Sequence, residues 1–198
     1  MKLILASNNA KKIIELRELL ADMGVEVLSQ REAGCVFEVD ETGTTFEENA
    51  YLKAKAVTDY TGLPAVADDS GLAVDALGGA PGVYSARFGG AECRSDEDRL
   101  NLLLKKMEAE EQRTARFVSC IACTFPNGDI LRARGECEGA ILRAPRGSGG
   151  FGYDPIFLPE GSEQSMAEMA AEEKNRISHR GKALEIFKRE LREYYADK

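Results

Sequence analysis

Asp68-Asp69-Ser70-Gly71 follows the short apolar run Pro64-Ala65-Val66-Ala67 and precedes Leu72-Ala73-Val74. The pattern reads as a buried strand that ends at two adjacent carboxylates. Ionised carboxylates are costly to bury without a partner. At the end of a sheet strand, a hard cation such as Mg²⁺ is a fitting partner, because it prefers oxygen ligands and keeps waters for a phosphate substrate. The stretch therefore predicts α/β architecture with phosphate chemistry at a strand end.

The rest of the chain bounds that reading. Its 198 residues suffice for one domain with a real core, or one domain in two lobes. Hydrophobic residues at 43% and charged residues at 30% are ordinary for a globular protein. No apolar run approaches the ~18 residues of a membrane span, and the first strand runs straight into polar residues, unlike a signal peptide. A cytoplasmic location with no membrane partner is expected. The net charge of −8 argues against a broad nucleic-acid surface but leaves room for a small anion met by local cations. Cysteines 35, 93, 120, 123 and 137 are odd in number and irregular in spacing, which argues against a disulfide framework. Cys120 and Cys123 form a C-x-x-C, but on a strand, where residues three apart face opposite sides. They read as buried strand cysteines rather than a metal or redox pair.

Periodicity outlines the elements. Strands are expected at 2–6, 25–28, 64–67, 116–125, 130–142 and 156–158. Helices are expected at 10–23, from the Thr45/Glu48 capping box to about 60, from Ser95 to 107, and from Ser178 onward. Residues 32–43 look irregular, and 77–90 form a glycine-rich loop. Pro126-Asn127-Gly128-Asp129 reads as a hairpin turn. The long hairpin predicts a second lobe with a cleft between the lobes.

Four stretches bear on chemistry. Ser7-Asn8-Asn9-Ala10-Lys11-Lys12 lies between the first strand and first helix, where free N–H groups suit a phosphate. The bland alternative there is an Asn9 cap with surface lysines. Asp40 and Glu41, with Glu47, Glu48 and Asn49, offer carboxylates that could meet Asp68 and Asp69 around a cation; taken alone, the stretch reads better as a solvated loop and an acidic first helical turn. Gly147 to Asp154 contains a formal G-x-G-x-x-G. Pro155 forbids the helix that a dinucleotide fingerprint needs, so an exposed Phe151 ring with Asp154 as an acceptor is the better reading. Lys174 to Arg180 places His179 and Arg180 at a helix start, where cations need an anionic or polar partner.

Together, S-x-N-x-x-K at 7–12, T-F-E-E-N-A at 45–50, D-D-S-G-L-x-V-D-x-L-G-G-x-P-G-V-Y-S-A-R at 68–87, G-F-G-Y-D-P-I-F at 150–157 and K-N-x-I-S-H-R at 174–180 resemble the inosine/xanthosine triphosphate pyrophosphatases. The resemblance implies an ITPase-like (Maf/Ham-type) α/β fold: one two-lobed domain over 1–198, with an elongated mixed central sheet flanked by helices and an active-site cleft between the lobes. It also implies a homodimer, Mg²⁺ and a non-standard purine nucleoside triphosphate. On this likeness Ser7, Asn8, Asn9, Ala10, Lys11 and Lys12 hold the triphosphate. Asp69 is the catalytic acid and a metal ligand, with a second ligand from Asp40 or Glu41. Ser70 touches the substrate, and Phe151, Gly152, Tyr153, Asp154, Lys174, His179 and Arg180 frame the base. Two rivals make different predictions. A nucleotide-binding regulator would bind without product, and a pyrimidine-directed pyrophosphatase would lack the Phe151–Asp154 and His179-Arg180 elements.

Overall fold

The computed structural model describes residues 1–196. Along the chain run β1 (Lys2–Leu5), α1 (Ala10–Leu19), β2 (Glu26–Ser29), α2 (Phe46–Thr61) and β3 (Ala65–Val74). There follow α3 (Asp96–Lys106), β4 (Thr114–Thr124), β5 (Ile130–Ile141), β6 (Phe157–Pro159), α4 (Ala171–Ile177) and α5 (His179–Ala196). The strands form one sheet in the order β2-β1-β3-β4-β5-β6. β1 pairs in parallel with β2 and β3, while β5 and β6 are antiparallel, so the sheet is mixed. Between β4 and β5, Phe125 donates its N–H to the Asp129 carbonyl, and Gly128 takes a φ of 91° in the turn.

Two compact units are present. The first contains Met1–Asp69, Cys120–Arg134 and the residues from Ala183 onward; the second contains Ser70–Ser119 and Gly135–Lys182. In the first unit, β1 alternates strictly. Leu3 and Leu5 join Val66, Ile13 and Leu16 of α1, and Leu184, Phe187 and Leu191 of α5. Ile4 joins Ala65, Cys35 and Val57 of α2 in a separate cluster. Period-2 side-chain direction thus lays α1 and α5 on one face of the strands and α2 on the other. The second unit packs Leu72 and Val74 with Leu100, Leu103 and Met107 of the α3 segment, and with Phe117, Ile156 and Phe157.

Several boundaries differ from the sequence expectation. β3 does not end at Asp68; it runs unbroken to Val74. Apolar Leu72 and Val74 are fully buried and carry the strand on past the acids. The first helix stops at Leu19 and tightens into a 3-10 turn over Ala21–Met23, ended by Gly24 in the left-handed region. Helix α4 has no counterpart in the sequence reading. Its N-cap is Ala170, which makes no side-chain cap, so the usual start signal is missing. The capping boxes of Thr45/Glu48 and Ser95/Asp98 are both formed. Cys120 and Cys123 lie buried on β4, and all five cysteines are free thiols. Burial lifts the Cys120 thiol to about 12, well outside the range of a reactive thiolate. Among the described residues no helix is long and apolar enough to cross a membrane.

Candidate functional site

Because β3 continues through them, Asp68 and Asp69 point to opposite faces of the strand. Each meets a lysine from the helix on its own face. Asp68, 7% exposed, takes both oxygens to Lys12 Nζ of α1, at 3.0 and 2.8 Å. Asp69 accepts from Lys53 Nζ of α2 at 3.4 Å, and the same ammonium donates to Glu41 Oε1 at 2.8 Å. The expectation that the two aspartates share one cation at a strand end is therefore corrected. Consecutive strand residues cannot converge, and the charge of Asp68 is met by the protein itself.

The Asp69 environment is under-filled. Its Oδ2 is buried without a hydrogen-bond partner, and so is Nδ2 of Asn49. The Asn49 amide favours the ionised form of Asp69, as a neighbour outside hydrogen-bond geometry. Burial pushes the Asp69 carboxyl above the usual carboxylate range; Lys53 opposes the rise and the Glu41 carboxylate adds to it. Burial likewise works against the Lys53 charge, but the carboxylates of Asp69, Glu41 and Asp68 outweigh it and hold the ammonium above its ordinary value. Asn49 also ties down the loop that carries Glu41, since its Oδ1 accepts the Gly43 N–H at 2.8 Å. A Cβ on Gly43 would lie 2.6 Å from that oxygen, so the close approach requires glycine. Asp40 is exposed, whereas Glu41 is half-buried and joined through Lys53 to Asp69. Among the described residues, no group of three or more His, Cys, Asp or Glu side chains is arranged to hold a metal ion. Glu41 and Asp69 are the carboxylate pair on offer.

In the same unit, Ser7 to Lys12 form the entry to α1. Asn9 caps the helix, accepting from the Lys11 and Lys12 N–H groups at 3.0 and 3.2 Å. Ser7 Oγ accepts the Asn9 N–H, and Asn8 Oδ1 accepts the Arg31 N–H. Asn8, Asn9, Ala10 and Lys11 are exposed. The Asn9 cap of the bland alternative is present, and the exposed polar rim of the other reading is present with it. Lys53 is the residue that sequence reading missed. It stands one helical turn beyond Asn49, and the buried Ala50, Ala54 and Val57 mark the inner face of α2. That i, i+4 relation was the available signal.

The second unit brings together Phe151, Gly152, Tyr153, Asp154 and Lys174. Asp154, 4% exposed, accepts the Phe151 N–H at 2.8 Å and pairs with Lys174. A Cβ on Gly150, at φ +72°, would collide with the Asp154 carboxylate. The glycine run is thus packing around a buried acid, not a dinucleotide turn. Lys174 also sits 5.0 Å from the centre of the Phe151 ring, which is 77% exposed. Tyr153 is buried and donates its hydroxyl to the Ser85 carbonyl at 2.9 Å; burial raises its pKa well above that of an ordinary phenol. His179 opens α5 and stacks on Phe117, with ring centres 4.9 Å apart and planes at 15°. Arg180 follows it, half-buried. Ser70 donates to Ser119 Oγ at 2.9 Å. A pocket of about 290 Å³ beside Tyr51, Lys55 and Phe125 contains none of these residues.

A model of the Ham1 family matches residues 3–190. A Deinococcus radiodurans protein named dITP/XTP pyrophosphatase is 52% identical over 183 residues, which are 92% of this chain and 89% of that protein. The solved structure of the Staphylococcus aureus Ham1 protein superposes with a TM-score of 0.93 at 38% identity, covering 98% of this chain and all of that one. A HAM1 protein from Coxiella burnetii gives 0.93 at 43% identity over 98% of this chain and 99% of its own.

Proposed function

The chain belongs to the Ham1 family, and from that premise we propose that it hydrolyses non-standard purine nucleoside triphosphates such as dITP, ITP and XTP to the monophosphate and pyrophosphate. The observation that carries this reading is the buried, partnerless Oδ2 of Asp69 beside Glu41. An unsatisfied buried carboxylate oxygen is costly unless a ligand completes it.

The donor set fits a hard divalent ion. Glu41 and Asp69 are both oxygen ligands, and Mg²⁺ is commonly held by one or two carboxylates with substrate phosphates and waters completing its shell. When bound, such an ion supplies charge withdrawal from the leaving pyrophosphate. The chain's own groups do the rest. Asp69 orients the water that attacks the α-phosphorus. Lys53 keeps the Glu41–Asp69 pair from mutual repulsion and adds positive charge for the triphosphate. Ser7, Asn8, Asn9 and the α1 entry contribute neutral donors, and Lys11 an exposed cation, to the phosphates. In this reading Glu41, rather than the exposed Asp40, is the second metal ligand.

In the second unit, Phe151 stacks on the base. Lys174 has three donors: one meets Asp154 and another remains for a 6-oxo group. Asp154 or a nearby carbonyl accepts from N1–H, and His179, Arg180 and Ser70 complete the substrate contacts. Adenine reverses both the donor and the acceptor, and a site built for hydrogen bonding rejects such a mismatch by about 10⁴-fold. The reading carries a cytoplasmic, homodimeric enzyme with it. Tyr84, exposed beneath Arg87 in the 77–90 loop, is the candidate contact, and light scattering in solution tests it.

The deciding experiment resolves pyrophosphate from orthophosphate across dITP, ITP, XTP, ATP and GTP with and without Mg²⁺. Pyrophosphate from the 6-oxo, non-standard substrates alone is expected. Orthophosphate release, binding without product, or equal use of ATP and GTP defeats the reading.

A further inference from the structure

The glycine-rich stretch around Phe151 should be loose. Gly149, Gly150 and Gly152 surround the ring, and the latter two have φ of +72° and +61°. Glycine keeps more backbone freedom than any other residue. Yet Phe151 and Gly152 each donate their N–H to a carboxylate. Phe151 gives its N–H to Asp154 Oδ2, the same oxygen that Lys174 Nζ holds. Gly152 gives its N–H to Asp96 Oδ2 at 2.9 Å, and Arg99 holds Asp96 Oδ1 at 2.6 Å. Two successive amides are thus fixed by two cation-backed acids, and charge-assisted bonds of this kind are the strong ones.

Asp96 comes from the first turn of α3, 56 residues earlier and outside the glycine motif. It is not needed as the helix cap. Ser95 and Asp98 do that work together: Ser95 Oγ accepts the Asp98 N–H, and Asp98 accepts from the Arg94 and Ser95 N–H groups. An exposed ring that must meet a flat ligand gains affinity when its backbone is already ordered. We propose that Asp96 is a positioning residue for base binding, clamping the Gly152 amide so that the Phe151 ring is presented in its stacking pose. This rests on the reading above that Phe151 meets the base.

The test has two arms. In ligand-free protein, Asp96→Ala speeds hydrogen exchange at the Gly152 amide by about tenfold, the size of one lost bond to a charged group. Unchanged exchange overturns the clamp. With dITP, Asp96→Ala raises KM by about tenfold and leaves kcat within about twofold, while Asp96→Asn, which keeps an acceptor oxygen, restores KM to within about threefold. In a Phe151→Ala background, Asp96→Ala adds nothing further, because residues acting through one group are not additive. A wild-type chain that releases no pyrophosphate overturns the functional reading, and this role with it. An active chain whose KM ignores Asp96→Ala, or in which the two substitutions add, overturns this role alone.

Discussion

Asp69 in the first unit, half-buried, and Asp154 in the second, buried, are both acids beside a lysine, yet their surroundings differ in kind. Asp154 is completed by the protein: Lys174 and the Phe151 amide converge on one carboxylate oxygen, and a glycine keeps the space clear for it. Asp69 is left incomplete. Its lysine is shared with Glu41, its bond to that lysine is long at 3.4 Å, and its second oxygen has no hydrogen-bond partner. One acid is held in place by the protein; the other, on the proposed reading, is completed by a ligand. Burial and charge alone do not tell them apart; satisfaction of the hydrogen-bonding atoms does.

The same substitution at the two sites should therefore have opposite consequences. Asp69→Asn is expected to lower kcat by about 10³-fold with KM within about threefold, since on the proposed reading it removes a group used at the reacting phosphorus. Steady-state kinetics on dITP checks it, and surviving turnover erases the contrast. Asp154→Asn should instead unfold more easily, by about 3 kcal/mol in chemical denaturation, because it strands the Lys174 charge. A stable Asp154→Asn protein would mean the acid is not structural.

Next in size is a comparison inside the first unit. Glu41→Gln should weaken Mg²⁺ activation by about tenfold or more, while Asp40→Asn stays within about twofold, following the partly buried and exposed positions of the two acids. Magnesium titrations of activity and of calorimetric binding separate them, and the reverse order would move the second ligand to Asp40.

The smallest effect is the most diagnostic. Asp69 titrates higher in the folded chain than in the unfolded one. Its contribution to stability is therefore complete below the usual carboxylate range and is lost as pH rises through the raised value. Asp69→Asn removes that loss, so the metal-free variant should melt roughly 2–4 °C above wild type at pH 7, as for a gain of about 1 kcal/mol. The gain should vanish below about pH 3, where the wild-type carboxyl is largely protonated in both states. Thermal melts in chelator at both pH values measure it. A variant that melts lower at pH 7 would show Asp69 to be structural, like Asp154.

Much of this was legible in the chain. The Thr45/Glu48 and Ser95/Asp98 caps and the 126–129 turn follow from local rules, because each depends on residues within one or two turns. The motifs at 7–12, 68–70, 151–154 and 174–180 could be quoted in advance. Helix α4 escaped because Ala170 gives no start signal, and Lys53 escaped because a lysine on an amphipathic helix reads as solvated until its partner is known.

What sequence alone determined was the inventory: which acids, amides and rings exist, and which local elements carry them. Only tertiary structure decided the pairing. It sent Asp68 to Lys12 and Asp69 to Lys53 on opposite faces of one unbroken strand, and it left a single oxygen of Asp69 without a partner. The physical reason is that a strand's alternation is local, but what stands opposite each face is set by helices far away in the chain.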